Sequence, residues 1–444
     1  GFLIGFEIPL VLRINKKFSD TLGTNLASIY AADYIGAFVG AMVWTYYLLR
    51  KFPLTHISFI LAGINFFVAC ITILYFQYKK MDNMQRNVIP ALLMLIVLPL
   101  LFIGLGSNQQ WSLIIEQKLY DDKIVYNETT KYQHLVMTHN SRVDEYRFFI
   151  NGNLQWSSSD EAIYHELLVH PVMNMVPDHE RVLILGGGDG MALREVQKYP
   201  DVKEILLVDL DPEMTKISAK NEIISRLNGG AFDSARVKTL VSGAVTSEGQ
   251  RPVFVNTGKY DDKNNPIVEI VADIGIINID ADKFVDEVKG KWSVVIIDLP
   301  DPNSIELAKM YSKEFFMKLR RVISETGMIV IQSTSPYHAK EAYLCIMRTM
   351  QAAGLEVTPY HHNVPSFGDW GWVLAQKPAN NIDMNARLKS IGNLNVDTRY
   401  ITPDVFEQSL IFGKGLLESK RTSVSTLMEP VILELYMHHS WLLE

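Results

Sequence analysis

The chain has little cysteine: only Cys70 and Cys345 among 444 residues, far apart and without His or Cys neighbours at ligand spacing. Neither a disulfide framework nor a zinc site is expected. No Lys/Arg run exceeds two residues and the formal net charge is -7, so the broad basic field of a nucleic-acid binder is missing. Internal repeats and low-complexity segments are lacking too. What remains, with 48% hydrophobic residues, is a chain able to hold two or three domains and a large core.

The hydrophobic residues are unevenly spread. Residues 26–49, 57–76 and 88–106 form three apolar runs, each near the ~20 residues that cross a bilayer as a helix. They read as membrane spans, with Asp33 the one acid inside a span. The opening "GFLIGFEIPLVLR" has no initiator Met and is too short to cross with its own flank, so it reads as the tail of an earlier helix in a longer protein. Glu7, before Pro9, is either a functional acid within the bilayer or a helix-end acid at its interface.

After Gly106 the pattern becomes that of a soluble α/β protein. "KIVYNETTKYQHLVMTHNSRVDEYRFFINGNLQWSS" alternates apolar and polar residues with a turn at Asn151-Gly152, which predicts antiparallel hairpins. From Glu180 onward, strand-like runs at 182–185, 205–208, 276–279, 294–297 and 328–332 alternate with helix-like segments. That order predicts a parallel, doubly wound sheet with ligand at the carboxyl ends of its strands. Residues 241–271 look like a polar insertion: a loop over the site or an inert excursion.

Chemistry concentrates in "RVLILGGGDGMALREVQKYPDVKEILLVDLDPEM". A buried strand, a turn from Gly186 to Gly190 including Gly188, and a helix start follow one another, so backbone N–H groups point above the turn. Asp209, ending the next strand, follows Gly190 by 19 residues, close to the spacing at which an acid takes a ribose hydroxyl in nucleotide-binding α/β folds. Asp189 inside the turn would repel a pyrophosphate and the carboxylate of S-adenosylmethionine alike. Decarboxylated S-adenosylmethionine keeps only a terminal ammonium there, which suits an aspartate. "WSVVIIDLPDPNS" adds Asp298 at a strand end and Asp301 on the following loop, and "INIDADKF" adds Asp280. Each acid alone is equally a turn or helix cap. On one sheet edge, a carboxylate pair suits an amine substrate, one to anchor a distal ammonium and one to take a proton from the attacking nitrogen.

The stretches "YQHLVM", "DEAIYHELLVHP", "VLILGGGDGMALREVQKYPDV", "LVDLDPEM", "DADKF" and "VVIIDLPDP" occur in the order found in the spermidine synthases, or polyamine aminopropyltransferases, and the chain resembles that family over residues 132–377. The hydrophobic front and the tail "RYITPDVFEQSL" resemble its membrane-anchored bacterial branch. The resemblance implies a Rossmann-like, class I methyltransferase-like doubly wound α/β sheet at 171–378. Ahead of it would come helices at 1–108 and a small β-hairpin domain at 109–170, and after it a helical extension at 379–444. It implies that Gln133, Asp189, Asp209 and Asp280, with the cradle glycines, hold decarboxylated S-adenosylmethionine as co-substrate, that Asp298 is the catalytic acid/base, and that Tyr164 and Asp301 line the amine pocket, with no metal. Asp209 stands where soluble relatives usually have Glu, His165 where Gln is common, and Phe367 where a pocket Tyr is expected. The last two departures leave the acceptor open, putrescine being the family's example.

Expected partners are thus a diamine or polyamine, a lipid bilayer and, left open, further copies of the chain. A methyltransferase on the same fold and a non-catalytic polyamine- or nucleoside-binding or transporter-associated module are the alternatives. For sidedness in the bacterial inner membrane, two arguments conflict. Arg13, Lys16, Lys17, Lys79, Lys80 and Arg86 flank the spans on one side, Arg50, Lys51 and the soluble part on the other, which by the positive-inside rule puts the catalytic part outside. The cytoplasmic origin of sulfonium nucleosides and diamines puts it inside, the reading favoured here.

Overall fold

The computed structural model describes residues 11, 22–48, 54–78, 88–233, 237–240, 255–260, 266–269, 274–288, 290–378, 394 and 396–439. The chain forms two compact units, Gly1–Asp121 and Asp122–Glu444.

The first unit is helical: α1 (Leu22–Val43), continued by a π-helical turn at Trp44–Leu48, then α2 (Leu54–Tyr78) and α3 (Val88–Glu116). Two stretches, Leu26–Leu48 and His56–Tyr75, are long and apolar enough to cross a membrane, with mean hydropathy 1.5 and 2.4. On α1, Tyr34 and Phe38 remain 70% and 68% exposed, a surface that calls for an apolar solvent or partner. In α3 the apolar part described is Leu95–Gly106, and the helix runs on past residue 108 to Glu116. Glu7 and the flanking charges Arg13, Lys16, Lys17, Arg50, Lys51, Lys79, Lys80 and Arg86 lie outside the described residues.

The second unit opens with β1 (Lys123–Thr129), β2 (His134–Asn140), β3 (Glu145–Ile150) and β4 (Asn153–Ser157), an antiparallel sheet in that order. The β3–β4 turn is the expected Asn151-Gly152, at φ 51° and 83°. Both central residues are left-handed, as the right-handed strand twist requires of a two-residue hairpin. Leu135, Met137, Phe148 and Trp156 of this sheet share a core with Met191 and Met214 of the α/β part.

Helix α4 (Glu161–Met175) leads into the large sheet. Its strands are β5 (Arg181–Gly186), β6 (Glu204–Asp209), β7 (Val237–Leu240), β10 (Ile274–Asn278), β11 (Trp292–Asp298), β12 (Ile323–Gln332), β13 (Glu356–Val364) and β14 (Gly368–Gln376). Between β7 and β10, β8 (Val255–Tyr260) and β9 (Pro266–Glu269) form a separate antiparallel pair inside the expected insertion, the rest of which falls largely outside the described residues. The connecting helices are α5 (Met191–Val196), α6 (Pro212–Lys220), α7 (Glu222–Leu227), α8 (Ala281–Glu287), α9 (Ile305–Ala308), α10 (Lys313–Val322) and α11 (Lys340–Ala352). The tail holds α12 (Pro403–Ser409) and α13 (Val431–His439).

Strand order is β13-β14-β12-β11-β5-β6-β10-β7, parallel from β12 to β7 and antiparallel at the β14 and β13 edge. Both faces are covered, so the central strands are apolar throughout: Val294, Val295, Ile296 and Ile297 are all fully buried. From β5 the chain winds to β6 on one side and later returns to β11 on the other. The crevice where it reverses is the ligand position of open α/β sheets. Register there sets Gly186 opposite Asp298.

Candidate active site

The glycine turn answers to two constraints. Gly186, Gly187 and Gly190 have φ of 83°, 65° and 81°, a region costly for any residue with a Cβ. Gly188 is there for space, since a Cβ at that position would lie 2.6 Å from Asp209 Oδ2. The turn is fastened to its neighbours: Gly187 N–H donates to the Asp298 carbonyl at 3.0 Å, and Gly188 N–H to Asp209 Oδ2 at 3.1 Å. Asp189 Oδ1 accepts from the N–H of Met191, the first residue of α5, at 2.9 Å. Its other oxygen, Oδ2, lies 3.9 Å from His165 Nε2.

Around the turn opens a cleft of about 720 Å³, and it brings together every expected site residue: Gln133, Tyr164, His165, Gly186, Gly188, Asp189, Asp209, Asp280, Asp298, Asp301 and Phe367. Gln133 comes from the small sheet, on a loop whose Thr130 Oγ1 donates to Asp211 Oδ2 at 2.6 Å. Tyr164 and His165 come from α4. Tyr164 donates to Asp298 Oδ1 at 2.9 Å, and its ring meets Phe367 edge-on at 6.0 Å between centroids.

Electrostatically the cleft is a set of dry acids around one imidazole. Asp209 accepts from Gly188 and Asp211 N–H, yet burial pushes its pKa up to about 7. Burial likewise raises Asp298 to about 6, against the pull of His165 and the Tyr164 hydrogen bond. Asp301 is raised to about 6 by burial, against hydrogen bonds from Tyr436 and Gln332. For His165 burial alone would lower the pKa, but Glu161 and the charges of Asp189 and Asp298 lift it to about 9. A cationic ligand would restore ionisation to acids held up by desolvation, so the site favours cations over anions. His165, Asp189 and Asp298 also set one donor atom each within 4.8 Å of one another, a triplet that fits a metal ion by donor type.

Three partners of the expected residues are invisible as motifs. Lys309 Nζ sits 2.6 Å from Asp280 Oδ2, while Asp280 Oδ1 caps α8. Burial opposes ionisation of Asp280, but Lys309 and two backbone N–H groups hold it below the usual carboxylate range. Any ligand contact by Asp280 is therefore shared with Lys309. Gln332 donates to Asp301 Oδ1 at 3.2 Å and Tyr436 to Asp301 Oδ2 at 2.9 Å. Gln332 has a sequence signal, being the polar residue that ends an apolar strand; Tyr436, within a helix near the end of the chain, has none. Just past Gln332, buried Thr334 sits at φ 60°, strain of the kind that collects at working sites.

A doubly wound sheet with a glycine cradle and part-buried acids at its switch point has the layout of an α/β nucleotide- or nucleoside-binding site. Comparison with known proteins narrows the class. A spermine/spermidine synthase domain model matches residues 161–247 and 268–386. The polyamine aminopropyltransferase of Oceanobacillus iheyensis is 31% identical over 98% of this chain and 76% of its own length, and that of Shewanella oneidensis is 34% identical over 99% and 71%. The chain belongs to the polyamine aminopropyltransferase family and is a transferase. Two solved structures share the fold: a spermidine synthase with the transition-state analogue AdoDATO (TM-score 0.53, 20% identity, 66% of this chain and 88% of that one) and the spermidine synthase of Thermotoga maritima (TM-score 0.51, 20%, 66% and 87%). The family match breaks at 248–267, inside the expected insertion.

Proposed function

We propose that the protein transfers the aminopropyl group of decarboxylated S-adenosylmethionine to a diamine such as putrescine, releasing methylthioadenosine. The observation that carries this reading is the closeness of Asp298 to the cradle: Gly187 N–H donates to its carbonyl at 3.0 Å, and its Oδ2 would lie 3.2 Å from a Cβ placed on Gly187. A nucleoside seated on the turn thus has the Asp298 carboxylate beside its reactive end. Asp209, with lone pairs beyond its two backbone bonds, suits the ribose hydroxyls; Gln133 and Asp280 suit the rest of the nucleoside, and Asp189 its terminal ammonium.

The reaction is a displacement. The lone pair of a neutral primary amine attacks the propyl carbon next to the sulfonium, the C–S bond breaks with its electrons going to sulfur, and the proton of the new ammonium passes to Asp298. Free amines are almost all protonated at neutral pH. The residues' main task is therefore to hold the nucleophile deprotonated and in line, with Tyr164 orienting Asp298 and Asp301 anchoring the distal ammonium. His165 and Phe367 wall the amine end. The apolar surfaces of α1 and α2 support an anchor in the membrane, and the origin of both substrates supports a cytoplasmic catalytic unit.

Purified full-length protein in detergent, given decarboxylated S-adenosylmethionine and putrescine, should release methylthioadenosine stoichiometrically with spermidine. Methyl transfer from S-adenosylmethionine without aminopropyl transfer would replace this reading with the methyltransferase one.

A further inference from the structure

Helix α13 lies beyond the matched family domain, which ends at residue 386, yet it reaches the cleft. Ile432 and Leu435 sink into the main core, at 0% and 1% exposure. With that face fixed, the adjacent Tyr436 is directed at Asp301, to which its hydroxyl donates at 2.9 Å. Gln332 holds the other oxygen of the same carboxylate, so Asp301 is gripped from a strand end and from the tail.

We propose that Tyr436 sets the length of amine the enzyme accepts, its ring and hydroxyl closing the cleft at Asp301. The proposal rests on the aminopropyltransferase reading above. A phenol can keep donating to Asp301 while its oxygen accepts from an arriving ammonium, so a diamine ending at Asp301 is accommodated with the tyrosine in place. A linear triamine must continue past that point, where the ring blocks it.

Steady-state methylthioadenosine release by the full chain in detergent, with putrescine and with spermidine as acceptors, tests this on two variants. Tyr436→Ala removes the ring and should raise the spermidine-to-putrescine ratio of kcat/KM by about 10-fold or more. Tyr436→Phe keeps the ring and loses the hydroxyl. It should raise the putrescine KM by about 3- to 10-fold with kcat within about twofold, the acceptor ratio staying as in the parent. Methylthioadenosine affinity and thermal melting report whether each variant is folded. An unchanged ratio in folded Tyr436→Ala overturns the proposal, and if that variant does not fold, an unchanged putrescine KM in Tyr436→Phe does so. A parent protein that releases no methylthioadenosine with any amine removes the function itself, a result distinct from either.

Discussion

Glu166 follows Tyr164 and His165 on α4, is fully buried, and is not among the residues lining the cleft. Its carboxylate accepts three backbone N–H groups of the tail: Arg399 at 2.6 Å, Tyr400 at 2.9 Å and Ile401 at 2.9 Å. Glu166→Ala deletes all three bonds. Ile401 is 1% exposed, so its N–H is left dry, whereas Tyr400 at 37% can recover water. A dry donor costs about 1–3 kcal/mol, and the other two bonds, partly replaced by solvent and not additive, bring the total to about 2–4 kcal/mol. If that energy holds the tail down, its opening equilibrium shifts by about 30- to 700-fold at about 1.4 kcal/mol per decade. Trypsin cleavage at Arg399 in the folded full-length protein, under conditions where cleavage follows the open population, reads that shift directly. Glu166→Gln keeps one acceptor oxygen and should fall between the two. Cleavage of Glu166→Ala within twofold of the parent would refute the reasoning and show the tail to be held elsewhere.

Two further predictions concern the acids. Asp189→Asn should narrow the preference for decarboxylated S-adenosylmethionine over S-adenosylmethionine measured by calorimetry; a parent protein that binds S-adenosylmethionine more tightly would sink the reading of Asp189. Asp298 and Asp301, both raised to about 6, serve only as carboxylates, the form present above that pH. Hence kcat/KM, corrected for the fraction of neutral amine, should hold above pH 6 and fall more than tenfold per unit well below it; a flat profile from about pH 5 to 8 would contradict this.

The site was legible wherever its residues close a strand or turn. Asp209 and Asp298 end β6 and β11, and Gly186 to Gly190 join β5 to α5, so the local pattern carried their position at the cleft. The small antiparallel sheet, its Asn151-Gly152 turn and the doubly wound sheet that follows came from periodicity and turn chemistry in the same way. Contacts that join distant segments were not legible. Tyr436 meets Asp301, Lys309 meets Asp280, and the backbone of residues 399–401 meets Glu166, and no spacing rule links such pairs. Nor does a sequence show that an acid does two jobs: Asp189 accepts from the first N–H of α5 while facing His165, and Asp280 caps α8 while holding Lys309. Those double roles appear only once the strand register is fixed.

The central claim is that the Asp298 carboxylate takes the proton of the attacking amine. Asp298→Asn keeps the volume and the hydrogen-bonding reach toward Tyr164 while removing the charge. Measured as methylthioadenosine release with a saturating diamine, turnover should fall by roughly 10² to 10⁴, with methylthioadenosine affinity within about threefold of the parent because Gln133, Asp209 and Asp280 are untouched. Full turnover by Asp298→Asn would contradict the mechanism and leave the fold and family standing without it.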